Sequence, residues 1–300
     1  MLKILLPVDE SLYSLYAVRF VVARTKLLGS KPRVMLLNAQ MPWSEALLKN
    51  GAREAFDEFV TRASEKIFAP LRKILRTKGI DAEEKVVVGR PADAVAAAVK
   101  SIRPDLIVMG AQGLSNVKKL FLGSVSTSVI SKTRVPVLLV RGRRVSPASG
   151  MKVGIALDGS GAGDAAASCV VKHLALLGPD PKIFLLHVFE GMDGIKAYET
   201  AGYMTLNDED KKQLRALEEE EYEEAFAPAR RILKEAGITA QEVKLEGMAG
   251  DAIAKYGAKE GLDLIVMGSH GYSNFKSAVM GSVATRVAAE GKIPLLVVRG

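Results

Sequence analysis

The chain contains the same sequence twice, and this repeat constrains its fold more than any other feature. Residues 101–142 align with residues 259–300 without a gap, and 20 of the 42 positions are identical. A repeat of about half of the 300 residues is long enough to bury a core of its own, so the sequence predicts two similar domains in tandem. We place them at residues 1–142 and 151–300, joined by a polar linker over 143–150 that contains Pro and Gly.

The spacing between the two copies changes once. Asp9 and Asp158 are 149 residues apart, whereas Pro70 and Pro228 are 158 apart. The second copy therefore has nine extra residues between its second strand and its long helix. The segment 190–210 is rich in Gly, Asp and Thr, which predicts a long loop, and such loops are often functional.

Short apolar runs alternate with helical patterns in each copy. In the first copy the pattern predicts strands near 2–7, 33–38, 84–88, 105–109 and 136–140, and helices near 11–28, 52–78, 91–102 and 124–132. The strand runs are almost continuously apolar, as expected for parallel strands covered on both faces. The fold class is therefore α/β, with two Rossmann-like domains that each contain a five-stranded parallel sheet and helices on both faces.

The predicted helix over 52–78 carries an apolar stripe. Its members recur every three or four residues and are Phe56, Phe59, Ala63, Ile67, Leu71 and Ile74. Pro70 lies within this stretch, as Pro228 does in the copy, and is expected to kink the helix.

A glycine-rich segment follows the fourth predicted strand in both copies. Its pattern is G-x2-G-x9-G-S, starting at Gly110 and again at Gly268. The glycines allow close approach of the backbone to a ligand, and the final Gly-Ser opens a helix whose N-terminus favours phosphate. Lys118, Lys119 and Lys276 lie in the intervening loops. The alternative is that these glycines only form turns and that the serine only caps a helix, but the same spacing in both copies favours the ligand.

A carboxylate ends the first strand of each copy. Asp9 precedes Ser11, and Asp158 precedes Ser160. Ligands of doubly wound sheets bind beyond the carboxyl ends of the strands, where these aspartates are expected to accept hydrogen bonds from a ribose hydroxyl or an adenine amino group. The alternative role is an N-cap of the following helix.

These motifs resemble those of the universal stress protein family, in its tandem, ATP-binding form. The matching segments are Pro7-Val-Asp9, Asn38-Ala39 and the loop from Met109 to Ser124, with counterparts in the second copy at Leu157-Asp158, His187-Val188 and Met267 to Ser282. The resemblance covers nearly the whole chain. It implies adenine nucleotide alpha hydrolase-like domains that bind ATP, with Mg²⁺ held mainly by the phosphates.

The resemblance also implies the residues of each site. In the first copy the nucleotide-binding residues are Pro7, Val8, Asp9, Ala39, Met109, Gly110, Gly113, Gly123, Ser124 and Val125. In the second copy they are Ala156, Leu157, Asp158, Val188, Met267, Gly268, Gly271, Gly281, Ser282 and Val283. The aspartates hold the adenosine, Ala39 and Val188 line the adenine, and the glycines and serines hold the ribose and phosphates. Ala156 departs from the pattern, because the first copy has Pro7 there.

The resemblance further implies a protein of the stress response whose ATP controls its conformation or assembly. Universal stress proteins typically pair through their fifth strands, here 137–140 and 295–298, so the two copies are expected to pair within the chain. A homodimer of chains and a regulatory protein partner of unknown identity are further expectations. We assign no catalytic and no metal-ligating residues.

Charge and composition limit the remaining classes. No apolar run is long enough to span a membrane or to serve as a signal peptide, and the single cysteine, Cys169, excludes an intrachain disulfide. We therefore expect a cytoplasmic protein. Residues 1–149 hold 25 Lys and Arg against 12 Asp and Glu, a net charge of +13, whereas residues 150–300 hold 17 against 22, a net charge of −5. A solvated surface that helps the halves associate explains this asymmetry better than nucleic-acid binding.

Two other functions stay open. A slow ATPase or phosphotransferase would need a base and a metal-holding carboxylate common to both loops, but Gln112 stands where the second copy has His270. A nucleic-acid-binding protein would use the basic first domain. Two local features have simpler explanations: His187 is expected to be a packed or capping residue, and the acidic run 218–224 is expected to be a solvated helix face.

Overall fold

The computed structural model describes residues 1–28, 31–112, 122–142, 150–189, 200, 205–271, 280–290 and 293–299. It divides into two compact units, Met1–Ala148 and Ser149–Gly300. Apart from Gly150, the linker predicted over 143–150 lies outside the described residues.

The first unit alternates strands and helices throughout. Its strands are β1 (Lys3–Pro7), β2 (Arg33–Gln40), β3 (Glu83–Val88), β4 (Leu106–Gly110) and β5 (Val137–Val140). Its helices are α1 (Leu12–Arg24), the short α2 (Glu45–Leu47), α3 (Arg53–Arg76), α4 (Pro91–Ile102) and α5 (Ser124–Lys132). The boundaries agree closely with those predicted. Pro91 occupies the first turn of α4, where the fixed φ of proline fits and no N–H is needed.

The second unit repeats this order. Its strands are β6 (Lys152–Ala156), β7 (Lys182–Phe189), β8 (Ala240–Glu246), β9 (Leu264–Gly268) and β10 (Leu295–Val298). Its helices include α6 (Gly161–Lys172), α7 (Asp208–Glu235), α8 (Ala249–Glu260) and α9 (Ser282–Glu290).

Every strand pair within a unit is parallel. In the first unit β1 lies between β2 and β4, while β3 pairs with β2 and β5 with β4. In the second unit β6 likewise lies between β7 and β9, flanked in turn by β8 and β10. The predicted Rossmann-like fold is confirmed. The second and third strands of each unit lie on one side of its first strand, and the fourth and fifth lie on the other. A crevice therefore forms where the first and fourth strands end.

The third strand departs from the prediction of burial on both faces. The burial of β4 and β5 follows the prediction, but no residue of β3 is buried. Val86 and Val88 are 36% and 48% exposed. The reason is position: β3 is the last strand on its side of the unit's sheet, pairing with β2, so fewer elements cover it.

The stripe on the long helix α3 also differs in part. Phe56, Ile67 and Leu71 are buried as predicted, but Phe59 is 41% exposed. The Trp43 ring lies 5.8 Å from that of Phe59 and covers part of it. The helix continues through Pro70 without a break.

The predicted loop over 190–210 ends earlier than expected. Residues 190–199 and 201–204 lie outside the described residues, and 208–210 already form the first turn of α7. Asn207 and Asp210 form a reciprocal capping box there, a helix-start signal in the sequence.

An arginine clamps the long helix to the outer strand in both units. Arg72 of α3 donates from Nε to Glu84 of β3 at 2.7 Å and also binds Glu65 on its own helix. The equivalent Arg230 of α7 donates to Glu242 of β8 at 2.5 Å and binds Glu223.

Candidate functional site

A cavity of about 270 Å³ lies at the carboxyl ends of β1 and β4 in the first unit. Nine of the ten residues predicted for this site line it: Pro7, Val8, Asp9, Ala39, Met109, Gly110, Gly123, Ser124 and Val125. The tenth, Gly113, lies outside the described residues, as do Lys118 and Lys119. The fold thus brings together residues from four separate parts of the first unit.

The second unit has a cavity of about 360 Å³ at the equivalent position. All ten residues predicted there line it: Ala156, Leu157, Asp158, Val188, Met267, Gly268, Gly271, Gly281, Ser282 and Val283. Lys276 lies outside the described residues. Both volumes are near the lower end of the range for small-molecule sites, roughly 300–1,000 Å³.

Asp9 is held by one of its two carboxylate oxygens. Oδ1 accepts the Ser11 backbone N–H at 3.0 Å, the Ser11 hydroxyl at 2.5 Å and the Ser14 hydroxyl at 2.7 Å. The N-cap of α1 is Ser11, not Asp9. Oδ2 accepts no hydrogen bond from the described residues, so it is available to a ligand in the cavity that Asp9 lines.

Asp158 repeats this arrangement beside the glycine loop. Its Oδ1 accepts the Ser160 backbone N–H at 3.0 Å and the Ser160 hydroxyl at 2.6 Å. Its Oδ2 faces the Cα of Gly271, where a Cβ atom would overlap the carboxylate oxygen. Gly271 therefore lets the backbone at this position lie against the aspartate.

The first glycine of each loop has a packing role as well. A Cβ at Gly110 would overlap Tyr13 of α1, and a Cβ at Gly268 would overlap Ala162 of α6. Tyr13 also donates a hydrogen bond from its hydroxyl to Gln112 at 2.8 Å. These glycines let the first helix of each unit approach the end of the fourth strand.

The helix after each loop begins at the cavity. The Gly123 N–H donates to the Ala111 carbonyl at 2.9 Å, and the Gly281 N–H donates to the Ser269 carbonyl at 2.8 Å. These bonds fix the start of α5 and α9. The next three N–H groups of α5, from Ser124 to Ser126, find no acceptor among the described residues, and no side chain caps this helix. Free N–H groups and the helix dipole make this terminus suited to an anion.

The residue before Ala39 or Val188 ties the second strand to the first. Asn38 donates from Nδ2 to the Val8 carbonyl at 2.8 Å. In the second unit, His187 Nδ1 lies 2.8 Å from the Leu157 carbonyl. His187 is buried, as expected of a packed residue, yet it also lines the cavity.

Sequence reasoning missed Glu221. The acidic run 218–224 is largely exposed on α7, as expected, but Glu221 also lines the second cavity. Its carboxylate lies 3.2 Å from His187 Nε2. The signal that could have found it was position, because Glu221 falls on the same helix face as the buried Ala225.

The comparisons with known proteins agree with this fold. The universal stress protein family model matches residues 1–141 and 151–299. A universal stress protein of Mycolicibacterium smegmatis is 28% identical over 309 residues, covering 99% of this chain and 96% of the relative. One of Thermus aquaticus is 36% identical over 121 residues, covering 40% of this chain and 85% of the relative.

A solved structure shows the same fold over the whole length. The crystal structure of a universal stress protein from Archaeoglobus fulgidus has a TM-score of 0.67 at 22% identity, covering 99% of this chain and 98% of that one. In the described part of the chain, no helix is long and apolar enough to cross a membrane. With two family domains that together span nearly all of its length, this chain belongs to the universal stress protein family.

Proposed function

We propose that each unit binds an adenine nucleotide, ATP with Mg²⁺ held mainly by its phosphates, and that the chain acts as a nucleotide-dependent stress or regulatory protein. The observation that carries this proposal is a pairing present in both cavities. An anchored carboxylate, whose second oxygen accepts no hydrogen bond from the described residues, lies at the end of the first strand, and the start of a helix lines the same cavity.

The residues present fit such a ligand at both ends. Asp9 and Asp158 each offer an acceptor to a hydroxyl or amino donor. The first turns of α5 and α9, which start at Ser124 and Ser282, offer N–H groups and hydroxyls to phosphate. Between them, apolar walls such as Met109 and Met267 suit the faces of a base and a sugar.

Calorimetry with ATP and Mg²⁺ tests the proposal, and mass spectrometry of nucleotide retained by the purified protein identifies the ligand. We expect two sites per chain. ATP at a hundredfold excess over Kd should stabilise the fold by roughly 2.7 kcal/mol per independent site. No thermal shift with any adenine nucleotide at millimolar concentration would reject the proposal.

Enzymatic and nucleic-acid functions are separated by two further measurements. Gln112 lines the first cavity at the position where His270 lines the second. The two cavities therefore have no histidine in common at this position. We therefore expect phosphate release well below about one per second, and faster turnover would favour an ATPase. Binding of DNA or RNA that weakens steeply with salt would favour the nucleic-acid function of the basic first domain.

The assembly belongs to the same proposal. Pairing of the two units through their fifth strands, a homodimer of chains, a regulatory partner and a cytoplasmic location remain proposals from the sequence and the family. A bare strand edge invites association, so the first unit expressed alone is expected to self-associate. A strictly monomeric and stable first unit would count against the pairing.

A further inference from the structure

The two cavities differ where the second strand ends. In the second unit His187 and Glu221 line the cavity. The equivalent positions of the first unit, by the offsets of 149 and 158, hold Asn38 and Ala63. Asn38 Oδ1 accepts from the neutral Gln40 side chain at 2.7 Å instead of meeting a carboxylate.

His187 is held rigidly at this end of the cavity. Its Nδ1 lies 2.8 Å from the Leu157 carbonyl, which can only accept, so Nδ1 carries a hydrogen and donates. The ring stands edge-on to Tyr222 at 5.3 Å and 87°, and to Phe226 at 6.2 Å and 83°. These contacts fix the direction in which Nε2 points.

Nε2 of His187 in turn positions Glu221. The distance from Nε2 to Glu221 Oε1 is 3.2 Å. Because Nδ1 already donates, Nε2 donates to an ionised Glu221 when the ring carries a hydrogen on both nitrogens. The Glu221 side chain is 49% exposed, so it would otherwise sample many rotamers. This contact holds a carboxylate at the wall of the cavity that Val188 and Ser282 also line.

We propose that Glu221 determines base specificity in the second cavity, by accepting a hydrogen bond from an exocyclic amino group of the bound base, and that His187 positions it. The inference rests on the proposed nucleotide binding and deepens it. An ionised carboxylate can only accept, so a base with an oxo group at that position would bring two acceptors together. Ala63 imposes no such penalty in the first unit.

The experiment compares ATP with inosine triphosphate, whose base carries an oxo group in place of the amino group. In the Gly113→Val variant only the second site remains to bind nucleotide, and in the Gly271→Val variant only the first. The two substitutions lie at equivalent positions of the sequence. Calorimetry on the full chain gives the ratio of the two affinities at each site. Because hydrogen bonds to charged groups are the stronger ones, we expect the preference for ATP to be about ten- to a hundredfold greater at the second site.

Three substitutions in the Gly113→Val background sharpen the test. Glu221→Ala should lower the preference to that of the first site. Glu221→Gln should lower it mainly by improving inosine triphosphate binding, because an amide can donate as well as accept. His187→Asn should lower the preference for ATP while the protein remains folded. Replacing a histidine with a purely structural role would not change this preference. Glu223→Ala is the matched control, since Glu223 lies on the same helix but binds Arg230, and it should leave the ratio unchanged.

The outcomes separate the inference from the proposed function. ATP binding to Gly113→Val with a ratio that Glu221→Ala does not change would overturn the role of Glu221 and leave nucleotide binding intact. Failure of the wild-type chain to bind either nucleotide at millimolar concentration would overturn the proposed function itself, and the inference with it.

Discussion

Gly271 lies against the carboxylate of Asp158, so closely that a side chain at position 271 would displace Oδ2. Gly271→Val should therefore abolish binding at the second cavity and leave the first intact. Calorimetry should show the ATP stoichiometry fall from two per chain to one. Gly161→Val is the matched control, because a Cβ at Gly161 meets nothing within 4 Å, and it should keep both sites. A wild-type stoichiometry of one, or a Gly271→Val chain that binds nothing, would show that only one cavity is a working site.

Asp9→Asn separates the two roles of that carboxylate. The amide oxygen can still accept the three bonds that Oδ1 receives from Ser11 and Ser14, while a donor replaces the free Oδ2. We expect ATP affinity at the first site to fall about tenfold or more with little change in Tm. A large loss of Tm with unchanged affinity would mean that Asp9 is only a structural residue.

Gly110→Ala should reduce stability, because the added methyl group would meet Tyr13. Overpacking of this kind costs about 1–3 kcal/mol, which should lower the midpoint of urea unfolding for the first unit. Gly161→Ala provides the control in open space. An unchanged midpoint combined with lost ATP binding would assign Gly110 to the ligand alone.

Cys169 should be nearly unreactive in the folded protein. Its side chain is buried, and burial raises the pKa of the thiol to about 11. At pH 8 roughly one thiol in a thousand is then ionised, against about a quarter in an unfolded chain. A chromogenic disulfide reagent should react at least about a hundredfold more slowly with native than with unfolded protein. Comparable rates would show that the segment around α6 opens readily.

Acid should destabilise the fold through paired carboxylates. Hydrogen bonds from basic side chains lower the pKa of four of them, Glu65, Asp93, Glu223 and Glu260. A lowered folded-state pKa gives stability that is complete above the unfolded pKa, about 4.3 for Glu and about 3.9 for Asp, and is lost as the pH falls through the folded pKa. We expect Tm to be level from neutral pH to about 5 and to fall below about 4.5. Because these groups are exposed, each contribution is small.

Replacing an arginine of one such pair tests whether paired carboxylates cause the loss of stability in acid. Arg230→Met removes the donor to Glu223 and Glu242, so Tm should fall less steeply with acid in this variant. A Tm that rises on acidification below pH 5 would contradict the assignment.

Sequence periodicity predicted the sheets and the position of both cavities because two signals agreed in each copy. Continuous apolar runs such as 106–109 gave the strands, and the repeated glycine spacing marked the crevice. The exposure of Val88 was not predictable from the run itself, since burial depends on what covers a strand. Phe59 was misjudged for the same reason, because a helical stripe does not show how far the fold covers each of its members, and Phe59 stays 41% exposed even with the Trp43 ring beside it.

The finer chemistry of the sites needed coordinates. Glu221 belongs to a charged run, and composition alone suggests solvent. Its place in the cavity depends on the register of α7 over β7, which brings it to His187. Likewise, the glycine spacing does not show that the absence of a Cβ at Gly110 makes room for Tyr13 as well as for a turn.

The arginine clamps have a consequence for motion. An outer strand with exposed side chains is normally the first part of a sheet to fray, and its amide hydrogens exchange with solvent through small local openings. Arg72 and Arg230 join that strand to the long helix in each unit, so separating the strand also breaks charged bonds to the helix. We expect the amides of β3 and β8 to exchange together with their long helices. The helix α7, which carries Glu221, is thereby held to the outer strand β8 of its sheet.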